Sequence, residues 1–133
     1  MAYFYQISIF FYGLSLKILS FFGHKKAQLF VQGRKNQKQQ LTSFQKNSTK
    51  KLYWFHCASL GEFEQGKPLM ENLKTEGVQI IITFFSPSGY EIKKDEPLAD
   101  AVFYLPLDTK LNAKEFIKSI QPDKAFFIKY EIW

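Results

Sequence analysis

The sequence predicts an α/β fold: an open parallel sheet preceded by a hydrophobic N-terminal helix. Three observations carry this expectation. Four short apolar or aromatic runs, at residues 52–57, 78–85, 101–105 and 125–128, alternate with stretches of helical periodicity. Small or polar residues follow each run, as they do where strands end in turns. Ahead of them, residues 2–22 are strongly apolar and hold a single charged side chain, Lys17. At 133 residues with 46% apolar content and fifteen phenylalanines, the chain has material for one well-filled core.

The first element is a helix over residues 1–23. About twenty residues at 1.5 Å each give about 30 Å, just enough to cross a hydrocarbon layer. No Lys or Arg precedes the apolar run and no small-residue cleavage pattern follows it, which argues against a secretory signal peptide. Gln6, Gly13, Lys17 and Ser20 share one helical face, as suits a helix lying in a membrane interface. A spanning helix is the alternative, with Lys25, Lys26, Lys35 and Lys38 marking its cytoplasmic side. A third reading is a helix packed on another part of a protein.

Residues 24–51 form a basic polar arm. From Gly33 to Lys51 the composition is Gln, Asn, Ser, Thr and Lys, which reads as a solvated linker, with Leu41 and Phe44 as its attachment points. The sheet domain occupies residues 52–133. Its first strand, 52–57, is apolar throughout, as a parallel strand covered on both faces should be. A helix over 62–76 turns Phe63, Leu69, Met70 and Leu73 inward, with Pro68 near its start and Gly77 as its stop. Ser86-Pro87-Ser88-Gly89 breaks the second strand. After the third, a helix over 109–120 buries Leu111, Phe116, Ile117 and Ile120, Asp108 caps it, and Pro122 ends it.

Charge is uneven. Residues 1–61 carry nine Lys or Arg and no Asp or Glu, whereas residues 62–133 carry nine Lys and twelve acids, which together give the net +6. A basic arm behind an apolar segment fits an anionic membrane surface. Nucleic acid is a poor fit, because no recognition motif accompanies the charge. Cys57 is the single cysteine, so no internal disulfide forms, and with only His24 and His56 beside it no zinc-ligand spacing exists.

A parallel sheet gathers its strand ends along one edge, so the four post-strand motifs converge there. Glu62 follows the first strand at the mouth of a helix. A carboxylate so placed can take a proton from an attacking hydroxyl, or simply complement the helix dipole. Ser59 and Gly61 shape the turn, Gly61 by adopting a backbone conformation closed to other residues, and they offer amides to an anion. Ser86, Ser88 and Gly89 make a second small-polar turn, for ligand contact or as loop punctuation. His56, flanked by apolar residues, reads as a core or edge histidine.

The string Trp54-Phe55-His56-Cys57-Ala58-Ser59-Leu60-Gly61-Glu62-Phe63 resembles the signature of the lipid A-specific 3-deoxy-D-manno-octulosonic acid (Kdo) transferases. Thr83-Phe84-Phe85-Ser86-Pro87-Ser88-Gly89, Tyr104-Leu105-Pro106-Leu107-Asp108 and Glu131-Ile132-Trp133 follow in that family's order. The resemblance implies a Rossmann-like N-terminal domain of a two-domain GT-B glycosyltransferase, with the sugar nucleotide held mainly by a C-terminal domain absent from this chain. It implies metal-independent, inverting transfer of Kdo from CMP-Kdo to a lipid A precursor, without a cofactor, at the cytoplasmic face of the inner membrane. Glu62 would be the general base, and Ser59, Gly61, Ser86, Ser88 and Gly89 would meet substrate. Lys129 stands where many members carry an acid, so a transition-state role there would have reversed its sign, while Glu131 keeps its place as a supporting carboxylate. The resemblance also implies that this piece alone is inactive. The competing reading is a membrane-tethered, non-catalytic α/β binding module or the product of a decayed gene.

Overall fold

The computed structural model describes residues 2–129. In chain order the elements are α1 (Ala2–Phe21), α2 (Lys25–Ser43), β1 (Leu52–Cys57), α3 (Leu60–Thr75), β2 (Gln79–Phe84), α4 (Pro87–Lys93), β3 (Ala101–Tyr104), α5 (Lys110–Ile120) and β4 (Lys124–Phe127). The four strands form one parallel sheet in the order β3-β2-β1-β4. This is the expected α/β architecture, and the order matches the first four strands of the Rossmann order 3-2-1-4-5-6.

The continuous apolar character of β1 and β2 follows from their position. Every residue of both strands is buried, because helices cover both faces of the sheet. On one face Tyr53, Phe55 and Cys57 join Ile80, Ile82 and Phe84 beneath Phe63 and Met70 of α3. On the other, Leu52, Trp54 and Ile81 meet Phe103 and the α5 side chains Phe116 and Ile120. Each such side chain contributes about 1.5–3 kcal/mol when fully buried. Leu69, Leu111 and Ile117, expected inward, are 42%, 66% and 45% exposed. They lie at the margins of their helical stripes, where three- and four-residue spacing alone does not separate core from flank.

The amino edge of the sheet is pinned twice by the same device. Asp100 Oδ2 accepts from the Ile80 amide and Lys74 Nζ, each at 2.7 Å, and the Asp100 amide donates to the Ile80 carbonyl. Asp123 Oδ2 accepts from the Leu52 amide at 2.7 Å and from Lys46 Nζ at 2.9 Å. Those two donors hold the Asp123 carboxyl below its ordinary range. Chain direction then leaves the opposite edge open.

The solvated linker expected from Gly33 onward is instead helix as far as Ser43. α1 and α2 form a helical hairpin whose turn uses the left-handed backbone of Gly23, at φ +85°. α2 then packs across the sheet. Ala27, Phe30 and Gln37 are buried, and Gly33 lies so close to Tyr104 that an added Cβ would fall 2.1 Å from its ring. Arg34 does most to anchor the helix. Its guanidinium rests 3.5 Å from the Phe30 ring centre and donates to the carbonyls of Leu105 (3.0 Å) and Phe85 (3.1 Å). Burial pulls its pKa down to about 10, so it remains a cation at neutral pH. Gln37 Nε2 donates to the Tyr104 carbonyl. The helix is thus held by polar side chains bonded to strand-end backbone, which a hydropathy pattern does not display.

Candidate active site at the carboxyl edge

Strand order reverses between β1 and β4, so the crevice at their carboxyl ends is where an open parallel sheet binds ligand. Glu62 follows β1 and Lys129 follows β4, placing one on each side of that point. The turn after β1 is compact. Ser59 is the N-cap of α3 in extended conformation but makes no side-chain cap bond. Glu62, in the first turn, reaches back so that its Oε2 accepts from the Ala58 amide at 2.6 Å. The residue is only 8% exposed. A carboxylate tied by one oxygen and shielded at a helix N-terminus is oriented rather than loose, and its other oxygen is the one a base would use.

The turn after β2 lies against this one, because the Ser86 amide donates to the Ala58 carbonyl at 3.1 Å. The segment beginning at Pro87 is a short helix, α4, rather than a loop. Ser86 is its N-cap, with Oγ accepting from the Gly89 amide at 3.4 Å and lying 2.6 Å from Ser88 Oγ. Gly89 is buried on Phe84, 2.7 Å from where a Cβ would stand. Gly61 proves to be an ordinary second residue of α3. A Cβ there would meet nothing nearer than Ser59 Oγ at 4.0 Å, so no special backbone conformation explains the glycine.

Asp108 does not cap α5. Thr109 does, its hydroxyl accepting from the Asn112 amide at 3.2 Å. Asp108 Oδ2 instead accepts from the Tyr5 hydroxyl of α1 at 2.5 Å. Lys129 adopts a left-handed backbone, φ +72°, rare for a side chain with a Cβ, and is exposed. Glu131 lies outside the described residues. Glu62, Ser59, Ser86, Asp108 and Lys129 therefore share the carboxyl edge, as the strand-end motifs predicted.

Two features here were not foreseen. Thr83 Oγ1 accepts from Trp54 Nε1 at 2.8 Å and lies 2.9 Å from His56 Nδ1, which makes His56 a core histidine with a specific partner. Its Nε2 is buried without a hydrogen-bond partner among the described residues. Burial pushes His56 below the ordinary imidazole range, against the opposing pull of Thr83 and Glu62. Burial also pushes the Cys57 thiol up to about 12, so this cysteine is inert as a nucleophile. The second feature is a cavity of about 760 Å³ on the α5 side of the edge, lined by Tyr5, Ile9 and Tyr12 of α1, by Trp54, Phe116 and Phe127, and by the post-strand segments. Among the described residues no group of three or more His, Cys, Asp or Glu gathers as a metal site would require.

The four-stranded parallel sheet, with an oriented glutamate at its carboxyl edge, places the chain in the Rossmann-like α/β class. Residues 34–133 match the family model described as 3-deoxy-D-manno-octulosonic-acid transferase, and the chain belongs to that family. It is 35% identical over 81 residues to the 3-deoxy-D-manno-octulosonic acid transferase of Aquifex aeolicus, covering 60% of this chain and 23% of the relative. The enzyme of the same name from Haemophilus influenzae is 36% identical over 84 residues, covering 60% and 19%. That from Rickettsia prowazekii is 28% identical over 94 residues, covering 68% and 20%. The chain thus spans about a fifth of the length of these curated relatives.

Proposed function

We propose that this chain is the acceptor-side, base-supplying domain of an inverting glycosyltransferase that moves Kdo from CMP-Kdo to a glucosamine hydroxyl of a lipid A precursor. Glu62 takes the proton from the acceptor hydroxyl as that oxygen attacks the anomeric carbon, and CMP departs with the bonding pair. The reaction needs no metal in this reading, and a second domain, of the kind GT-B enzymes carry, holds most of the donor. Ser59, Ser86 and Ser88 line the approach, and Lys129 faces an anionic group of donor or acceptor. The single observation that carries the reading is the placement of Glu62: almost wholly buried, hydrogen-bonded to the Ala58 amide, and beside the point where strand order reverses.

The reading extends to location. α1 turns Gln6, Ile9, Gly13, Leu16 and Ser20 toward the protein and leaves Tyr3, Phe4, Phe10, Phe11 and Phe21 exposed. An outward apolar face beside a wholly basic arm fits the cytoplasmic surface of an inner membrane, with the helix lying in the interface. The test is a chimaera in which residues 34–133 replace the matched segment of a relative. It is expected to transfer radiolabelled Kdo to lipid A precursor in membranes. A folded chimaera that binds donor yet transfers nothing would refute the assignment.

A further inference from the structure

Arg34 carries a part-buried cation that has no carboxylate partner among the described residues. Taking a charge out of water costs free energy, and holding α2 on the sheet does not call for one. One turn later Gln37, a neutral amide, makes the same kind of bond to the Tyr104 carbonyl. The guanidinium reaches further. Its Nε donates to the Leu105 carbonyl at 3.0 Å and its Nη2 to the Phe85 carbonyl at 3.1 Å. The Phe85 carbonyl and the Ser86 amide belong to one peptide group, and that amide donates to the Ala58 carbonyl at 3.1 Å. Ala58 in turn gives its own amide to Glu62 Oε2 at 2.6 Å. The cation on α2, the turn after β2 and the glutamate after β1 thus stand in one run of hydrogen bonds.

We infer that Arg34 is a positioning residue for the Glu62 carboxylate, acting through the Phe85–Ser86 peptide and Ala58 without touching substrate. The inference rests on the reading of Glu62 as the base. Two effects pass along the run. One is position: Arg34 ties together the segments that follow β2 and β3, which fixes the Phe85–Ser86 peptide and, through it, the Ala58 backbone that meets Oε2. The other is polarisation, since a cation on a peptide oxygen strengthens the hydrogen bond from that peptide's N–H. A displacement of about 1 Å at a reacting group can cost about a hundredfold in rate. Loss of Arg34 therefore slows proton removal and leaves acceptor affinity alone. A lysine at this position keeps the charge, but its single nitrogen lacks the fork that spans both carbonyls.

The test has two arms. In the intact chain, held in detergent micelles, NMR follows hydrogen exchange at the Ala58 and Ser86 amides. Arg34→Met should speed both by about tenfold, the scale of one lost hydrogen bond to a charged group. Gln37→Leu, which removes only the neighbouring anchor of α2, should leave both unchanged. In the second arm the whole chain is fused ahead of the downstream part of a relative, and single-turnover Kdo transfer is measured at saturating donor. Arg34→Met should lower the saturating rate by about tenfold to a hundredfold with the half-saturating acceptor concentration unchanged. Arg34→Lys should fall between, and it serves where the first variant does not fold. Combined with Glu62→Gln, the Arg34 substitution should cost nothing further, because its effect runs through that carboxylate. Losses of equal size with and without Glu62→Gln would overturn the inference and leave Arg34 an anchor of α2. Unchanged exchange at Ala58 and Ser86, or a matching loss of rate in Gln37→Leu, would do the same, and all of these leave the base reading standing. Absence of transfer by the folded parent fusion, or near-normal transfer by Glu62→Gln, would refute the base reading itself and the inference with it.

Discussion

Thr83 holds two side chains at once, and that makes it the residue on which the buried polar centre depends. Trp54 Nε1 and His56 Nδ1 both lie within hydrogen-bond distance of its hydroxyl, inside a core otherwise apolar. Thr83→Val keeps the shape and leaves both nitrogens unpartnered, which should cost about 1–3 kcal/mol. Chemical denaturation at neutral pH measures it, and a change near zero would show that the network is not stabilising. His56 adds a pH dependence. Its pKa is lowered in the folded protein, so below about 6.5 the unfolded chain binds the proton more readily than the native one. Stability should be flat above that pH and fall as pH drops through it. His56→Gln should remove that part of the slope, and an unchanged slope would assign it to other groups.

At the scale of elements, α2 gives the sharpest expectation. In an exposed helix Gly→Ala stabilises by about 0.5–1 kcal/mol. At Gly33 the new methyl would meet the Tyr104 ring, itself stacked on Tyr90 at 4.0 Å between centres. Overpacking of this kind costs about 1–3 kcal/mol. Gly33→Ala should therefore lower the melting temperature, whereas a solvated linker would show no change or a gain. Strands β1 and β2 were legible because burial on both faces demands unbroken apolar runs. Glu62 was legible as a position, but a carboxylate in a helix's first turn serves the dipole as readily as catalysis, and only the resemblance favoured the base. α2 was not, because Arg34 and Gln37 bind it to strand-end carbonyls through polar atoms. α4 was hidden by Ser86-Pro87, a pair that reads equally as a loop or as an N-cap with proline at the first helical position. The cavity was beyond reach, since its walls join residues such as Tyr5 and Asp108, 103 positions apart.

At the scale of the whole molecule, the two edges of the sheet divide the work. Asp100 and Asp123 fasten the amino edge, while the carboxyl edge collects the post-strand residues and receives α2 through Arg34. The central claim is that the edge is catalytic through Glu62. Glu62→Gln keeps an oxygen to accept from the Ala58 amide and removes the basic carboxylate, so the fold should hold. The decisive measurement is single-turnover Kdo transfer by the chimaera at saturating donor and acceptor, with thermal melting of both proteins alongside. The account predicts a fall of roughly a hundredfold or more in rate, the scale of general-base catalysis, with acceptor binding and melting nearly unchanged. Near-normal transfer by a well-folded Glu62→Gln protein would contradict it.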